Sequence, residues 1–332
     1  RATRSPLDRL TGKQEITWSV ETYMCPKSGA VPNIAPLLEC AMGTVSTTTY
    51  SLATELPTFQ MMRLSEGLMR EEVFGCWVDE MTISSSGGDP VTLSFSGGAC
   101  EYALTGTATT GTGATSQDMP VTANGTNFMP GSRIAIADLT AATGTVVAGC
   151  DSATAVRLAA STTFGSSKAV TPHTPDGNYV THGDPITGIS GVLSLDSTTS
   201  LNVTSFDVTL TNGIKPLNDE FAKKGTSDFI EGFREITGTV TVRATGDSLT
   251  KFMKRYQMKR PTISETGGAA PTFTTMALVI TMGNVSNLKQ ILTLPAVELG
   301  FAGIEIPEAE EATIAIPFTA LATASNNEMT FE

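Results

Sequence analysis

Residues 74–98, FGCWVDEMTISSSGGDPVTLSFSGG, alternate between apolar and polar side chains on both sides of a Gly-Gly-Asp-Pro turn. Such alternation gives a strand one apolar face and one polar face, which the 3.6-residue period of a helix does not. Glycine and the Asp-Pro pair supply turn conformations that other residues resist. The segment therefore predicts a β-hairpin, and it contains no residue pattern typical of catalysis.

Strand patterns recur along most of the chain. Further strands are predicted at residues 14–24, 189–213 and 234–244, and in several segments after residue 271. A short helix is predicted at residues 35–43, because Pro36 suits the first turn of a helix and Gly43 suits its end. A second helix is predicted at residues 247–259, where apolar side chains recur at helical spacing. The sequence therefore indicates a mainly β protein.

The composition supports this interpretation and argues against nucleic-acid binding. The 332 residues are enough for two domains or one large β-domain, and 40% of them are hydrophobic. Only 16% are charged, which favours strands and loops over long surface helices. The formal net charge is −12, whereas a free-standing nucleic-acid binder needs a basic surface. The chain contains no apolar run long enough to predict a membrane-spanning helix.

The sequence carries no complete catalytic or metal-binding motif. Ser248 and Lys251 form an S-x-x-K pattern, but the S-D-N and K-T-G elements that accompany it in penicillin-recognising enzymes are missing. The five cysteines include no C-x-x-C pair, and their odd number argues against a disulfide framework. The two histidines, His173 and His182, fit no known spacing of metal ligands. We therefore predict no enzyme activity, no cofactor and no metal site.

Residues 44–75 contain more apolar side chains than a free loop should expose. We interpret the segment as an extended arm or long hairpin that contacts a neighbouring subunit. An ordinary core hairpin is the alternative. The adjacent acids Glu71 and Glu72 are interpreted as a solvated edge and not as a catalytic carboxylate pair. The candidate contact residues in this segment are Leu56, Phe59, Met61, Met62 and Leu68.

Charge is unevenly distributed in the second half of the chain. Ten of the 21 basic residues lie between Lys215 and Arg260, whereas seven acidic residues and no basic residue follow Lys289. We expect Lys254 and Arg255 of the second predicted helix to contact another subunit and not DNA. Pairing within one chain, or a solvated helix face, would explain the same pattern.

Residues 101–185 differ in composition from the rest of the chain. They consist of short Gly, Thr, Ala and Ser patterns with sparse charge. We predict that they form a small inserted β-subdomain. Residues 1–100 and 186–332 would then form one discontinuous β-domain.

Five segments in order carry a family resemblance: ITWSVETY (16–23), APLLECAMG (35–43), GCWVDEMTIS with VTLSFSG (75–97), SFDVTLTNGIKPLND (205–219) and EATIAIPFTAL with NNEMTF (311–331). Together they resemble the major tail tube proteins of long-tailed, siphovirus-type bacteriophages. The resemblance covers residues 12–100 and 186–332 and leaves the segment 101–185 outside it.

The resemblance implies an antiparallel β-sandwich or barrel-like tail tube fold with one flanking α-helix and the insert on the tube exterior. Six copies would form a ring, and stacked rings would form a virion tube that conducts genomic DNA without binding it specifically. Other implied partners are tail terminator and tail tip proteins and a tape measure protein in the lumen. The protein would be made in the bacterial host cytoplasm without membrane insertion. Six copies at −12 give −72 per ring, which would repel the DNA.

Two other classes of function fit the sequence. A tube protein of a contractile tail, a secretion system or a gene-transfer particle would share this architecture. A secreted β-sandwich adhesin is suggested by the Thr-, Ser- and Gly-rich segment 101–185. An adhesin would need exposed aromatic residues in a concave site, and only 6% of the residues are aromatic.

Overall fold

The computed structural model describes residues 15–26, 34–65, 69–137, 145–173, 184–188, 191–195, 199–200, 202–220, 225–244, 275–285, 288–300, 303–305, 312–324 and 326–332. Strands dominate these residues, and the four sheets that they form are antiparallel. The prediction of a mainly β protein is therefore confirmed.

The described elements follow one another in three parts of the chain. The first part comprises β1 (Ile16–Tyr23), α1 (Ala35–Met42), β2 (Gly43–Ser46), β3 (Thr49–Leu52), β4 (Phe59–Ser65), β5 (Met69–Cys76), β6 (Glu80–Ser86), β7 (Thr92–Ala99) and β8 (Glu101–Thr105). The second part comprises β9 (Ala108–Thr109), β10 (Ala114–Pro120), a 3₁₀ helix (Gly125–Asn127), β11 (Arg133–Ile136), β12 (Thr145–Ser152), β13 (Ala155–Phe164) and β14 (Ala169–Pro172). The third part comprises β15 (Val192–Leu195), β16 (Thr199–Ser200), β17 (Val203–Thr211), β18 (Lys215–Leu217), β19 (Asp228–Ile230), β20 (Glu235–Arg243), β21 (Met276–Met282), β22 (Gln290–Leu299), β23 (Gly303–Glu305), β24 (Thr313–Ala320) and β25 (Thr330–Phe331).

The largest sheet runs in the order β1-β7-β6-β17-β20-β24-β22-β21-β15-β16. Its β6–β7 hairpin confirms the prediction for residues 74–98, and Met81 lies opposite Phe95 as the alternation requires. β25 joins β22 to β3, so the β2–β3 hairpin extends the same sheet. Apolar side chains from both ends of this strand order pack with α1 into one core cluster. The largest side chains buried in that core include Tyr50, Phe95 and Phe331.

The helix α1 confirms the predicted helix at residues 35–43. Pro36 occupies its first turn, and Gly43 ends it with a φ of 103°. A Cβ on residue 43 would lie 2.6 Å from the Cβ of Ala53, so the turn also requires the missing side chain. An isolated helix of eight residues is not stable in water. Burial of Leu38 and Met42 in the core therefore holds α1 in place.

The segment predicted as an arm or long hairpin forms two hairpins. β2 pairs with β3, and β4 pairs with β5. β5 also pairs with β8, which gives a three-stranded sheet separate from the largest sheet. We call β4, β5 and β8 the arm sheet.

Residues 108–172 form a six-stranded sheet in the order β10-β13-β12-β11-β14-β9, which we call the insert sheet. It has its own core, formed by Met119, Val121, Phe128, Ile134, Ile136, Val147, Val156, Leu158, Phe164 and Val170. The composition change suggested that the insert begins at residue 101, but the strand at 101–105 pairs with β5 and belongs to the arm sheet. Composition does not reveal this boundary, because β8 follows β7 after a single residue. The two strands belong to different sheets only because β8 pairs with β5.

Candidate assembly surfaces

The face of the largest sheet opposite its core is dominated by hydroxyl side chains. Strand pairing places three rows of residues side by side across this face. The rows are Tyr23-Thr92-Ser84-Asp207-Thr239-Pro317, Glu21-Ser94-Thr82-Thr209-Thr237-Thr319 and Ser19-Ser96-Glu80-Thr211-Glu235. Eleven of these 17 residues are Ser or Thr, four are acidic and none is basic. Arg243, at the end of β20, is exposed on the same side of the sheet but lies beyond these three rows. We call these 17 residues the hydroxyl face.

Hydroxyl groups on this face bond to one another across strands. The Oγ1 atoms of Thr82 and Thr209 are 3.0 Å apart, and Ser84 Oγ lies 2.9 Å from Thr92 Oγ1. Burial raises the pKa of the Asp207 carboxyl above its ordinary value of 3.8, although a hydrogen bond from the Thr239 backbone opposes this rise. The face is therefore polar and weakly acidic, and part of its hydrogen-bonding capacity is already satisfied internally.

The strand β1 forms one end of the largest sheet. It pairs with β7, and within the described residues no strand pairs with its other edge. None of its eight side chains is buried, although Ile16, Trp18 and Val20 lie on the core side of the sheet. Monomeric proteins often protect such edges with lysine, proline or a bulge. β1 carries no Lys or Pro and pairs with β7 without a register shift, so its edge is open to a further strand.

The candidate contact residues of the arm lie in different environments. Leu56 is buried against Trp77 and Ile214, and Phe59 packs edge-on against Trp18 with ring centroids 5.2 Å apart. These two residues therefore pack within the chain. Met61 is half-buried and Met62 is 38% exposed, both on the outermost strand of the arm sheet. Leu68, the predicted helix 247–259, Lys254 and Arg255 lie outside the described residues.

The interpretation of Glu71 and Glu72 as a solvated edge is wrong for Glu72. The Glu71 side chain is 30% exposed, whereas that of Glu72 is 0% exposed and pairs with Arg70. Successive residues of a strand point to opposite faces, so two adjacent acids on β5 lie in different environments.

Polar side chains tie the beginning of the arm to the largest sheet. The buried Asn212 donates from Nδ2 to the backbone oxygens of Ala41 and Val78, both at 3.0 Å. Arg234 donates to the Ala53 oxygen, and Glu231 Oε1 accepts the Leu56 backbone N–H at 2.6 Å. Burial lowers the pKa of the Arg234 guanidinium, although the nearby acids Glu328 and Glu231 oppose this change. The segment between β3 and β4 is therefore bonded to the loop before β20.

Sequence reasoning missed an exposed aromatic residue in that loop. Phe233 is 101% exposed, and Ile230 at the end of β19 is 56% exposed. The flanking Glu231 and Arg234 both bond to the segment before β4, which fixes the turn that presents Phe233. No pattern in the surrounding sequence indicates this exposure, because it depends on which neighbours turn inward.

Within the described part of the chain, no group of three or more His, Cys, Asp or Glu side chains could hold a metal ion. No described helix is long and apolar enough to cross a membrane. The sequence matches no protein-family model and no curated protein.

Proposed function

We propose that the chain is a structural subunit that assembles into stacked hexameric rings, as the major tail tube protein of a long-tailed bacteriophage does. The observation that carries the proposal is the hydroxyl face, whose 17 positions hold eleven Ser or Thr residues and no basic residue. The resemblance of five ordered segments to this family supports the same function.

In this proposal the hydroxyl face lines the channel. A protein that holds DNA neutralises phosphates with Lys and Arg, and each such contact slows release. The hydroxyl face offers none, and its four acids repel the phosphate backbone. Six copies would contribute 24 acids to each ring (six times four). DNA would then slide past short, neutral hydroxyl side chains without a site that binds it.

Ring closure would use the open edge of β1. Addition of a strand from the neighbouring copy satisfies the backbone groups on that edge, and repetition around a six-fold axis leaves no free edge. Each subunit would then have the sandwich or barrel-like fold of the tail tube family, with the insert sheet on the tube exterior. Partners would be further copies, tail terminator and tip proteins, and a tape measure protein in the lumen of the virion tail.

Electron microscopy of the purified protein tests the proposal, with rings or tubes as the expected result. Lysines at Thr17 and Ser19, two exposed positions on β1, should abolish rings because they protect the edge against strand pairing. Ser86→Lys with Ser94→Lys adds the same charge at exposed positions of β6 and β7 and should leave ring assembly intact. A compact monomer at high concentration, or equal effects of both double variants, would count against the proposal.

A further inference from the structure

A fully buried ion pair lies at the junction of the arm sheet and the insert sheet. Arg70 and Glu72 share one face of β5, with side chains 3% and 0% exposed, and Arg70 Nη2 lies 2.5 Å from Glu72 Oε1. Charged side chains are almost never buried this completely unless they are paired. Burial costs the pair much of its hydration, so a buried pair is weak evidence of a stabilising role.

The other partners of this ion pair come from both sheets. Glu72 Oε1 accepts from Gln60 Nε2 of β4 at 2.8 Å. Glu72 Oε2 accepts the backbone N–H of Arg133, the first residue of β11, at 3.4 Å. Arg70 Nη1 donates to the backbone oxygen of His173, directly after β14. One pair of side chains therefore connects two strands of the arm sheet with β11 and with the residue that follows β14.

A second set of contacts joins the same two units through backbone atoms. The Met129 N–H donates to the Leu104 oxygen at 3.0 Å, and the Gly106 N–H donates to the Asn127 oxygen at 2.8 Å. Thr105 of β8 forms an isolated bridge with Phe128. Two neighbouring strands of the arm sheet, β5 and β8, thus both contact residues of the insert sheet or its ends. Attachment at two strands opposes rotation of the insert sheet about either strand.

Two buried polar atoms at the junction have no partner among the described protein atoms. They are Arg70 Nε and Thr105 Oγ1, and their residues lie directly opposite each other on β5 and β8. Buried polar groups of this kind are commonly satisfied by internal water. The junction is therefore a polar, directional contact and not a sliding apolar one.

We infer that the arm sheet and the insert sheet form a single rigid unit, coupled through Arg70 and Glu72. The insert sheet is then not a tethered decoration. A neighbouring molecule that displaces the arm also reorients the insert sheet, because both are held by the same charged pair. This inference does not depend on tube formation and can be tested on the monomer.

Amide hydrogen exchange measured by mass spectrometry tests the coupling. Glu72→Gln and Arg70→Met should each speed exchange at least about 10-fold in β5 and β11 together, because each leaves one buried charge unpaired. The double variant R70M/E72L should also speed exchange in β5 and β11 together, but less than either single variant. It removes both charges, yet it leaves the Gln60 amide, the Arg133 N–H and the His173 oxygen without their partners. Faster exchange confined to one sheet would overturn the inference.

A matched control lies on the opposite face of the arm sheet. Arg63 and Glu71 are 3.9 Å apart, with side chains 81% and 30% exposed. R63M/E71L should change exchange less than about threefold in either sheet, because exposed ion pairs contribute little. An effect of this control on β11 equal to that of the single variants would show that the buried pair has no special role.

If the single variants do not fold, the unaltered protein gives the same information. Exchange in low concentrations of denaturant should show β5, β8 and β11 opening in one step with a common dependence on denaturant. Opening of β11 and β14 at a lower denaturant concentration than β5 and β8 would show two independent units.

Discussion

Asn212→Ala should strongly destabilise the protein, although Asn212 lies in the loop directly after β17 and outside the apolar core. The side chain is 3% exposed, and its two bonds to the oxygens of Ala41 and Val78 connect three segments of the chain. Ala41 lies in the last turn of α1, where backbone carbonyls lack partners within the helix. Asn212 Oδ1 also accepts from Arg234 Nε at 3.5 Å.

The magnitude follows from the groups that alanine would leave without partners. A buried carbonyl that loses its donor costs about 1–3 kcal/mol, and two carbonyls are affected. The removed side-chain atoms leave a small cavity, which adds to the loss. We therefore expect the free energy of unfolding to fall by about 3–5 kcal/mol, out of the roughly 5–15 kcal/mol of a typical native domain.

Urea unfolding followed by tryptophan fluorescence measures this loss, because Trp77 packs against Ile214, two residues beyond Asn212. Asn327→Ala is the control, since Asn327 Oδ1 accepts two backbone N–H groups in solvent-exposed bonds. Its expected cost is at most about 1 kcal/mol, because water replaces the lost bonds. Equal losses for the two variants, or a loss under about 1 kcal/mol for Asn212→Ala, would refute the reasoning.

Three further predictions concern charge and burial. Asp207→Asn should stabilise the protein at pH 7 by less than about 1 kcal/mol, because burial raises the carboxyl pKa and solvent screens the effect. Urea titrations should show this gain vanish below pH 3.8, where the carboxyl is protonated in both the folded and unfolded states. Burial raises the pKa of the Cys40 and Cys76 thiols to about 11, so peptide mapping after alkylation at pH 8 should find both unmodified in the native protein only. If the proposed tubes form, Thr82→Lys with Thr209→Lys should make them retain DNA at low salt and release it at high salt in a sedimentation assay, whereas unaltered tubes should not retain it.

Local elements could be predicted from the sequence wherever apolar side chains alternated with polar ones or residues typical of helix ends were present. The alternation in residues 74–98 predicted the β6–β7 hairpin, and Pro36 with Gly43 predicted the bounds of α1. Apolar content alone did not show where Leu56 and Phe59 point. Their partners Trp77, Ile214 and Trp18 are brought together by tertiary packing, which no short window of sequence contains.

The hydroxyl face could not be predicted, because it depends on pairing between distant strands. Thr82 bonds to Thr209 across 127 positions in the sequence, since β17 lies between β6 and β20. The buried ion pair was missed for a related reason. Glu72 accepts from Arg133 across 61 positions and Arg70 donates to His173 across 103, so no short window of sequence shows that this pair is buried.

The strand order explains why this fold can carry a large insert. The hydroxyl face is formed by six strands that all lie outside residues 108–172: β1, β7, β6, β17, β20 and β24. A one-residue register shift in any of them would bring its apolar residues to this face, because side chains alternate with a period of two. The insert sheet is connected through β8 of the arm sheet and returns to the largest sheet before β15, and neither strand contributes to the hydroxyl face. Insertion at this point therefore adds a second core without changing the register of any strand on the hydroxyl face.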